Sequence, residues 1–131
     1  MKLIKEKITS KNLKVGIIGL GYVGLPLAVE FGKKYHCIGF DVNDERISQL
    51  KQSIDKTFEL TSDDIDDAKH LNFTSEIEDI KKSNIYIVTV PTPIDNDNNP
   101  DITFLIKASE MIGTILDKGD IVIYELSLIH I

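Results

Sequence analysis

Three glycines, Gly19, Gly21 and Gly24, stand in the run Val15-Gly16-Ile17-Ile18-Gly19-Leu20-Gly21-Tyr22-Val23-Gly24, a G-x-G-x-x-G pattern at the point where an apolar strand gives way to a helix. Glycine chemistry here is backbone chemistry. Gly19 permits the tight turn, Gly21 lets the main chain approach a pyrophosphate, and Gly24 lets the helix lie close to the strand. Leu20, Tyr22 and Val23 supply the backbone between these points. The free N–H groups of the helix and the positive end of its dipole suit bound phosphates.

A carboxylate follows at the expected distance. Asp41 comes directly after the apolar run His36-Cys37-Ile38-Gly39-Phe40 and 22 residues after Gly19. An acid there can accept hydrogen bonds from both adenosine ribose hydroxyls and would repel a 2'-phosphate, so NAD is favoured over NADP. Arg46, the one arginine of the chain, either lies across the adenine or a phosphate or is a charge on a helix surface. A methyltransferase binding S-adenosylmethionine would use the same glycine turn and second-strand acid, and these residues alone leave that alternative open.

The elements that must position these groups read as alternating strands and helices. Apolar runs of strand length cover Lys14 to Ile18, His36 to Phe40, Asn84 to Val90 and Asp120 to Tyr124, with a shorter one near Leu71 to Thr74. Runs this continuous in Val and Ile suit parallel strands covered on both faces. A helix is expected over Tyr22 to Lys34, with Val23, Leu27 and Phe31 beside Gly24 and Ala28 on its packed face; Pro26, at about the fifth helical position, would lose the bond to the Tyr22 carbonyl. Asn43 caps a helix to about Gln52, and Thr61 or Ser62 caps a second, acidic one. Further helices are expected from Ser75 to Lys82 and from Asp101 to Leu116, the last carrying Ile102, Leu105, Ile106, Ile112 and Leu116 on one stripe. The expected fold is α/β, an open doubly wound parallel sheet of Rossmann type ending after about the fifth strand.

Bulk properties narrow the partners. The 131 residues are 42% hydrophobic, enough for one domain and one core. A net charge of -6 argues against a nucleic acid or an anionic membrane as partner. The lysine-rich start, Lys2 to Lys14, is not followed by a signal-peptide core, and no run is long enough to span a membrane. Cys37 has no internal disulfide partner, no Cys/His cluster has metal-ligand spacing, and a reducing, cytoplasmic setting is expected. His36, His70 and His130 are isolated. Asp95-Asn96-Asp97-Asn98-Asn99-Pro100-Asp101 begins like a calcium loop but has Pro100 where glycine is needed and Ile106 where a glutamate is needed.

Three stretches then carry a resemblance. Lys14 to Ala28, Phe40 to Ile47 and the Val88-Thr89-Val90-Pro91-Thr92-Pro93 loop resemble, in order, the start of the UDP-glucose/GDP-mannose dehydrogenase family. The resemblance implies that Asp41 binds ribose, that Arg46 helps hold NAD, and that Val90, Pro91, Thr92 and Pro93 line the cofactor site, with Glu125 at the end of the last strand. Pro100 to Thr103 and Lys107 to Ser109 look most like the branch acting on UDP-N-acetylhexosamines in capsule and O-antigen synthesis. The family oxidises the sugar C6 alcohol to a carboxylate in two hydride transfers to NAD through a cysteine thiohemiacetal.

Tyr124-Glu125 is followed by Leu126-Ser127-Leu128-Ile129-His130-Ile131 rather than the family's Ser-Thr-Val. We therefore expect an N-terminal extension over 1–13, an NAD-binding domain over 14–125, a non-native tail over 126–131, and no substrate domain, dimerisation helices or catalytic cysteine in this chain. Cys37, inside a strand, reads as a small buried hydrophobe. The resemblance implies a fragment, inactive by itself, of a homo-oligomeric parent whose substrate is a UDP-sugar. The alternative is a stand-alone NAD-binding or sensing module.

Overall fold

The computed structural model describes residues 12–126. Five strands form one all-parallel sheet: β1 (Lys14–Ile18), β2 (His36–Phe40), β3 (Leu71–Thr74), β4 (Ile85–Val88) and β5 (Ile121–Tyr124), in the spatial order β3-β2-β1-β4-β5. The central strand β1 is in register with both neighbours, Val15 opposite Cys37 and Ile85, and Ile18 opposite Phe40 and Val88. The helices are α1 (Gly24–Gly32), α2 (Asp44–Lys51), α3 (Ser62–Asp66) and α4 (Thr103–Gly113). This is the expected doubly wound α/β sheet. The chain leaves β1 toward β2 on one side and returns to β4 on the other, so a crevice opens beyond the carboxyl end of β1.

Alternation along β1 and β4 divides the core between the two faces. Val15, Ile17 and Ile87 pack with Leu25, Ala28 and Val29 of α1 and Ile47 and Leu50 of α2. Ile18, Tyr86 and Val88 pack with Ile80 and with Ala108 and Ile112 of α4. Asn43 caps α2 through Arg46 N–H, and Thr61 with Asp64 forms a reciprocal capping box on α3, as the residue types require.

The helices are rotated relative to the sequence expectation. In α1 the buried residues are Gly24, Leu25, Ala28, Val29 and Gly32, whereas Val23 is exposed and Leu27 and Phe31 are only half-buried. Small residues every fourth position decide this. A Cβ on Gly32 would lie 2.6 Å from the Leu71 Cβ, so bare backbone meets β3 there, and Leu25 and Val29 rather than Leu27 and Phe31 fill the face toward the sheet. Pro26 falls within the first turn, between Leu25 N–H bonding Gly21 O and Leu27 N–H bonding Val23 O, so it withdraws one terminal bond without breaking the helix.

In α4 the expected stripe is buried only in part, through Ile112 and the half-buried Leu105. Ala108, Ile112 and the following Ile115 are buried, while Ile102, Ile106 and Leu116 are exposed. The expected helix from Ser75 to Lys82 is a four-residue 3-10 turn, Ile77–Ile80: Thr74 Oγ1 accepts from Glu76 N–H and donates to the Asp79 carboxylate, and Ser83 N–H closes back on Ile80 O. β5 differs from the other strands in that Ile123 and Tyr124 lie exposed at the sheet edge.

The link between α2 and α3 is built around one buried carboxylate. Asp55 Oδ1 accepts from Thr57 N–H (2.9 Å), Thr57 Oγ1 (2.6 Å) and Arg46 Nη1 (2.8 Å), and Oδ2 accepts from Glu59 and Leu60 N–H (3.0 Å each). Burial opposes ionisation of this group. The hydrogen bonds from Thr57, Arg46 and Leu60 outweigh it and hold the carboxyl at about 2. The same link carries Ser53 and Phe58 at φ 60° and 58°, a conformation unfavourable for either residue.

Two outcomes follow from this packing. Ile112→Ala should cost about 2–4 kcal/mol in denaturant unfolding, and Ile106→Ala less than about 1 kcal/mol; equal losses would contradict the orientation of α4. Asp55 is more acidic folded than its unfolded value of about 3.9, so its stabilising contribution is complete above that pH and fades as pH falls toward 2. Thermal midpoints should drop through that window, and Asp55→Asn should flatten the drop. An unchanged slope in the variant would contradict the assignment.

Candidate cofactor site

The turn between β1 and α1 is clamped by its neighbours. Gly19 adopts φ +99°, where a side chain would be strained and its Cβ would press on Val90 N at 3.0 Å. A Cβ on Gly24 would stand 1.7 Å from Gly19 O and 2.4 Å from Thr89 Oγ1, so only glycine lets α1 start here. At Gly21, by contrast, a Cβ would meet nothing within 4 Å, which leaves that stretch of backbone open to a ligand.

Asp41 lies at the end of β2 and faces this turn. Its Oδ2 accepts from Leu20 N–H (3.0 Å) and its Oδ1 from Asn43 N–H (2.9 Å), leaving further acceptor capacity on both oxygens. Thr89 Oγ1 lies 2.6 Å from Gly19 O and 3.1 Å from Ile18 O, tying the end of β4 to the same turn. Arg46 sends Nε (3.0 Å) and Nη2 (2.7 Å) to Leu20 O. Its side chain is only 11% exposed, so the helix-surface alternative for this residue is corrected: the guanidinium is turned inward.

A cleft of about 320 Å³ opens at this place, beyond the carboxyl ends of β1, β2 and β4. It brings together seven of the residues expected from sequence: Gly19, Leu20, Gly21, Asp41, Arg46, Val90 and Pro91. Six others do not line it. Tyr22 and Val23 are exposed on the first turn leading into α1, and Gly24 is buried beneath it. Thr92 is buried, Pro93 O accepts Asp101 N–H (2.6 Å), and Glu125 extends the ladder of β5 through its N–H to Val88 O (2.9 Å).

Sequence reasoning missed the opposite wall and the braces. Phe104, Lys107, Ala108 and Met111 of α4 line the cleft. Lys107, a lone cation in a largely apolar helix, was the available signal. Thr89 interrupts an apolar strand end, and Asp55 begins an Asp-x-Thr turn in a chain with a single arginine; both patterns were visible without indicating their partners.

No group of His, Cys, Asp and Glu able to hold a metal occurs among the described residues. Cys37 is buried in β2, and burial pushes its thiol up to about 12, far from a thiolate nucleophile. No helix among the described residues is long and apolar enough to cross a membrane.

Comparison with known proteins agrees with this geometry. Residues 13–129 match the UDP-glucose/GDP-mannose dehydrogenase family, NAD binding domain. UDP-N-acetyl-D-glucosamine 6-dehydrogenases of Pseudomonas aeruginosa and Salmonella typhi are 58% and 59% identical over 115 and 114 residues, 88% and 87% of this chain. The chain spans 27% of the length of each. The solved structure of UDP-D-ManNAc dehydrogenase from Pyrococcus horikoshii superposes with a TM-score of 0.82 at 30% identity, over 87% of this chain and 28% of that one. Residues 13–129, with their five parallel strands and glycine turn, thus belong to the UDP-glucose/GDP-mannose dehydrogenase family as its NAD binding domain.

Proposed function

We propose that this chain is the cofactor-holding part of an NAD-dependent UDP-N-acetylhexosamine 6-dehydrogenase. The observation that carries the reading is Asp41, whose carboxylate stands at the end of β2 against the glycine turn and in the same cleft. Backbone N–H groups at the start of α1 hold the pyrophosphate, and Asp41 accepts the ribose hydroxyls. The cofactor supplies hydride acceptance; the chain's own residues bind and orient it. Val90, Pro91, Thr92 and Pro93 form the loop beside the cofactor, stiffened by its two prolines. The substrate class rests on the 58–59% identity to UDP-N-acetyl-D-glucosamine 6-dehydrogenases.

In this reading residues 14–125 form the NAD-binding domain, and residues 126–131, of which only Leu126 is described, depart from the family's Ser-Thr-Val although the family match runs on to residue 129. The tail and the 1–13 extension otherwise lie outside the described residues. Sugar recognition, the nucleophilic cysteine and homo-oligomer contacts belong to a cytoplasmic parent. Support comes from the apolar surface at the β5 edge, where Ile123, Tyr124 and Leu126 lie exposed, as do Ile106 of α4 and Ile102 just before it. Such a surface is more natural under further chain than in water, which favours a parent enzyme over a stand-alone sensing module.

Calorimetric titration should show NAD binding, weaker NADP binding and no S-adenosylmethionine binding; a folded sample that ignores NAD would overturn the site. Asp41→Ala should weaken NAD about tenfold or more, because charge-assisted bonds to both hydroxyls are lost. Asp41→Asn keeps an acceptor for Leu20 N–H but loses the charge, so the preference for NAD over NADP should shrink. The purified chain with NAD and UDP-N-acetylglucosamine should form no NADH, and measurable turnover would refute the division of roles.

A further inference from the structure

The Leu20 peptides are held at four points. Leu20 N–H goes to Asp41 Oδ2 and the opposed Gly19 carbonyl to Thr89 Oγ1. On the next peptide, Leu20 O takes Arg46 Nε and Nη2, which turns the Gly21 N–H to the opposite side, because a trans peptide sets its C=O and N–H antiparallel. The orientation of that amide, at the open stretch of the turn, is therefore set by the arginine.

Arg46 is set in turn by Asp55, whose side chain is fully buried at 2.8 Å from Nη1. Four of the five hydrogen bonds on that carboxylate come from Thr57, Glu59 and Leu60, and the fifth from Arg46. Two non-glycine residues, Ser53 and Phe58, take left-handed conformations in the same short link. Ser53 is the left-handed residue that closes α2, with Ser53 N–H on Leu50 O and Ile54 N–H on Gln49 O, while Phe58 N–H returns to Asp55 O in the turn that surrounds the carboxylate.

We propose that Asp55 is a positioning residue for the dinucleotide: through Arg46 it fixes the Leu20-Gly21 peptide that meets the pyrophosphate, without touching the cofactor itself. The proposal rests on the NAD reading above. It assigns Arg46 as a strut whose two contacts, Leu20 O and Asp55, a lysine cannot reproduce, since only the planar fork addresses both at once.

The test compares NAD and adenosine binding to the whole chain, well below each variant's melting temperature. Asp55→Asn should raise the Kd for NAD about tenfold while moving that for adenosine, which lacks the pyrophosphate, less than about twofold. In an Arg46→Ala background, Asp55→Asn should add no further loss, because the link between the two sites is already gone. An Asp55→Asn chain that binds NAD like the wild type would overturn the proposal. So would equal losses for NAD and adenosine, or a full further loss in the Arg46→Ala background. Should Asp55→Asn not fold, Arg46→Lys carries the same expectation of a loss confined to NAD, and its absence overturns the proposal. Failure of the wild type to bind NAD would instead sink the cofactor reading and leave the strut without a purpose.

Discussion

The first turn of α1 lies so close to the end of β1 that no side-chain atom fits between them: a Cβ on Gly24 would overlap Gly19 O. Much of the site follows from that contact. With α1 pressed onto β1, its ridge of Gly24, Ala28 and Gly32 meets the sheet with Leu25 and Val29 buried beside it, while Leu27 and Phe31 lie half-buried at the flank. The amino end of the helix is then delivered directly over the carboxyl end of the central strand, where β2 and β4 diverge. The cleft is the space that this geometry leaves between the turn, Asp41 and α4.

Closeness alone would leave the turn free to rotate its peptides, and the neighbours remove that freedom. Asp41, Thr89 and Arg46 come from β2, the end of β4 and α2, so three separate elements must be in place before the turn takes its shape. The Arg46 and Asp55 pair is nearly dry. A dry ion pair is an uncertain source of stability, yet removing one partner strands the other, with a typical cost of about 3–5 kcal/mol. Its better attested use is to specify one arrangement, which is the role the geometry gives it here. A net charge of -6 is no obstacle to an anionic cofactor, because the amino end of α1 opens at the turn and Arg46 and Lys107 line the same cleft as Asp41.

Much of this was legible in the residues. Continuous Val and Ile runs announced buried parallel strands, the glycine spacing located the turn, and Asp41 was found by its distance along the chain. What was illegible has a physical cause in each case. A helical stripe says which residues are apolar and not which small residues allow closest approach, so α1 and α4 turned out rotated from their apparent faces. The Asp-x-Thr pattern in the link from Ser53 to Leu60 did not reveal its role, because the link's order comes from one buried carboxylate taking backbone N–H groups, the Thr57 hydroxyl and Arg46, none of them periodic. Arg46 was visible as a single cation, but its direction depends on Asp55, nine residues away and in no pattern with it. The far wall of the cleft, Phe104, Lys107 and Met111, belongs to a helix brought there only by the sheet order.

The central claim is that a dinucleotide occupies the cleft at the switch between β2 and β4 and is held by the glycine turn. Its most direct test is an amide chemical-shift titration of the isotopically labelled chain with NAD. The account predicts saturable shifts concentrated at Gly21 to Gly24, Asp41 to Asn43 and Phe104 to Met111, with the β3 edge near Asn72 unmoved. Shifts confined to other surfaces, or none at saturating NAD on a folded chain, would contradict it.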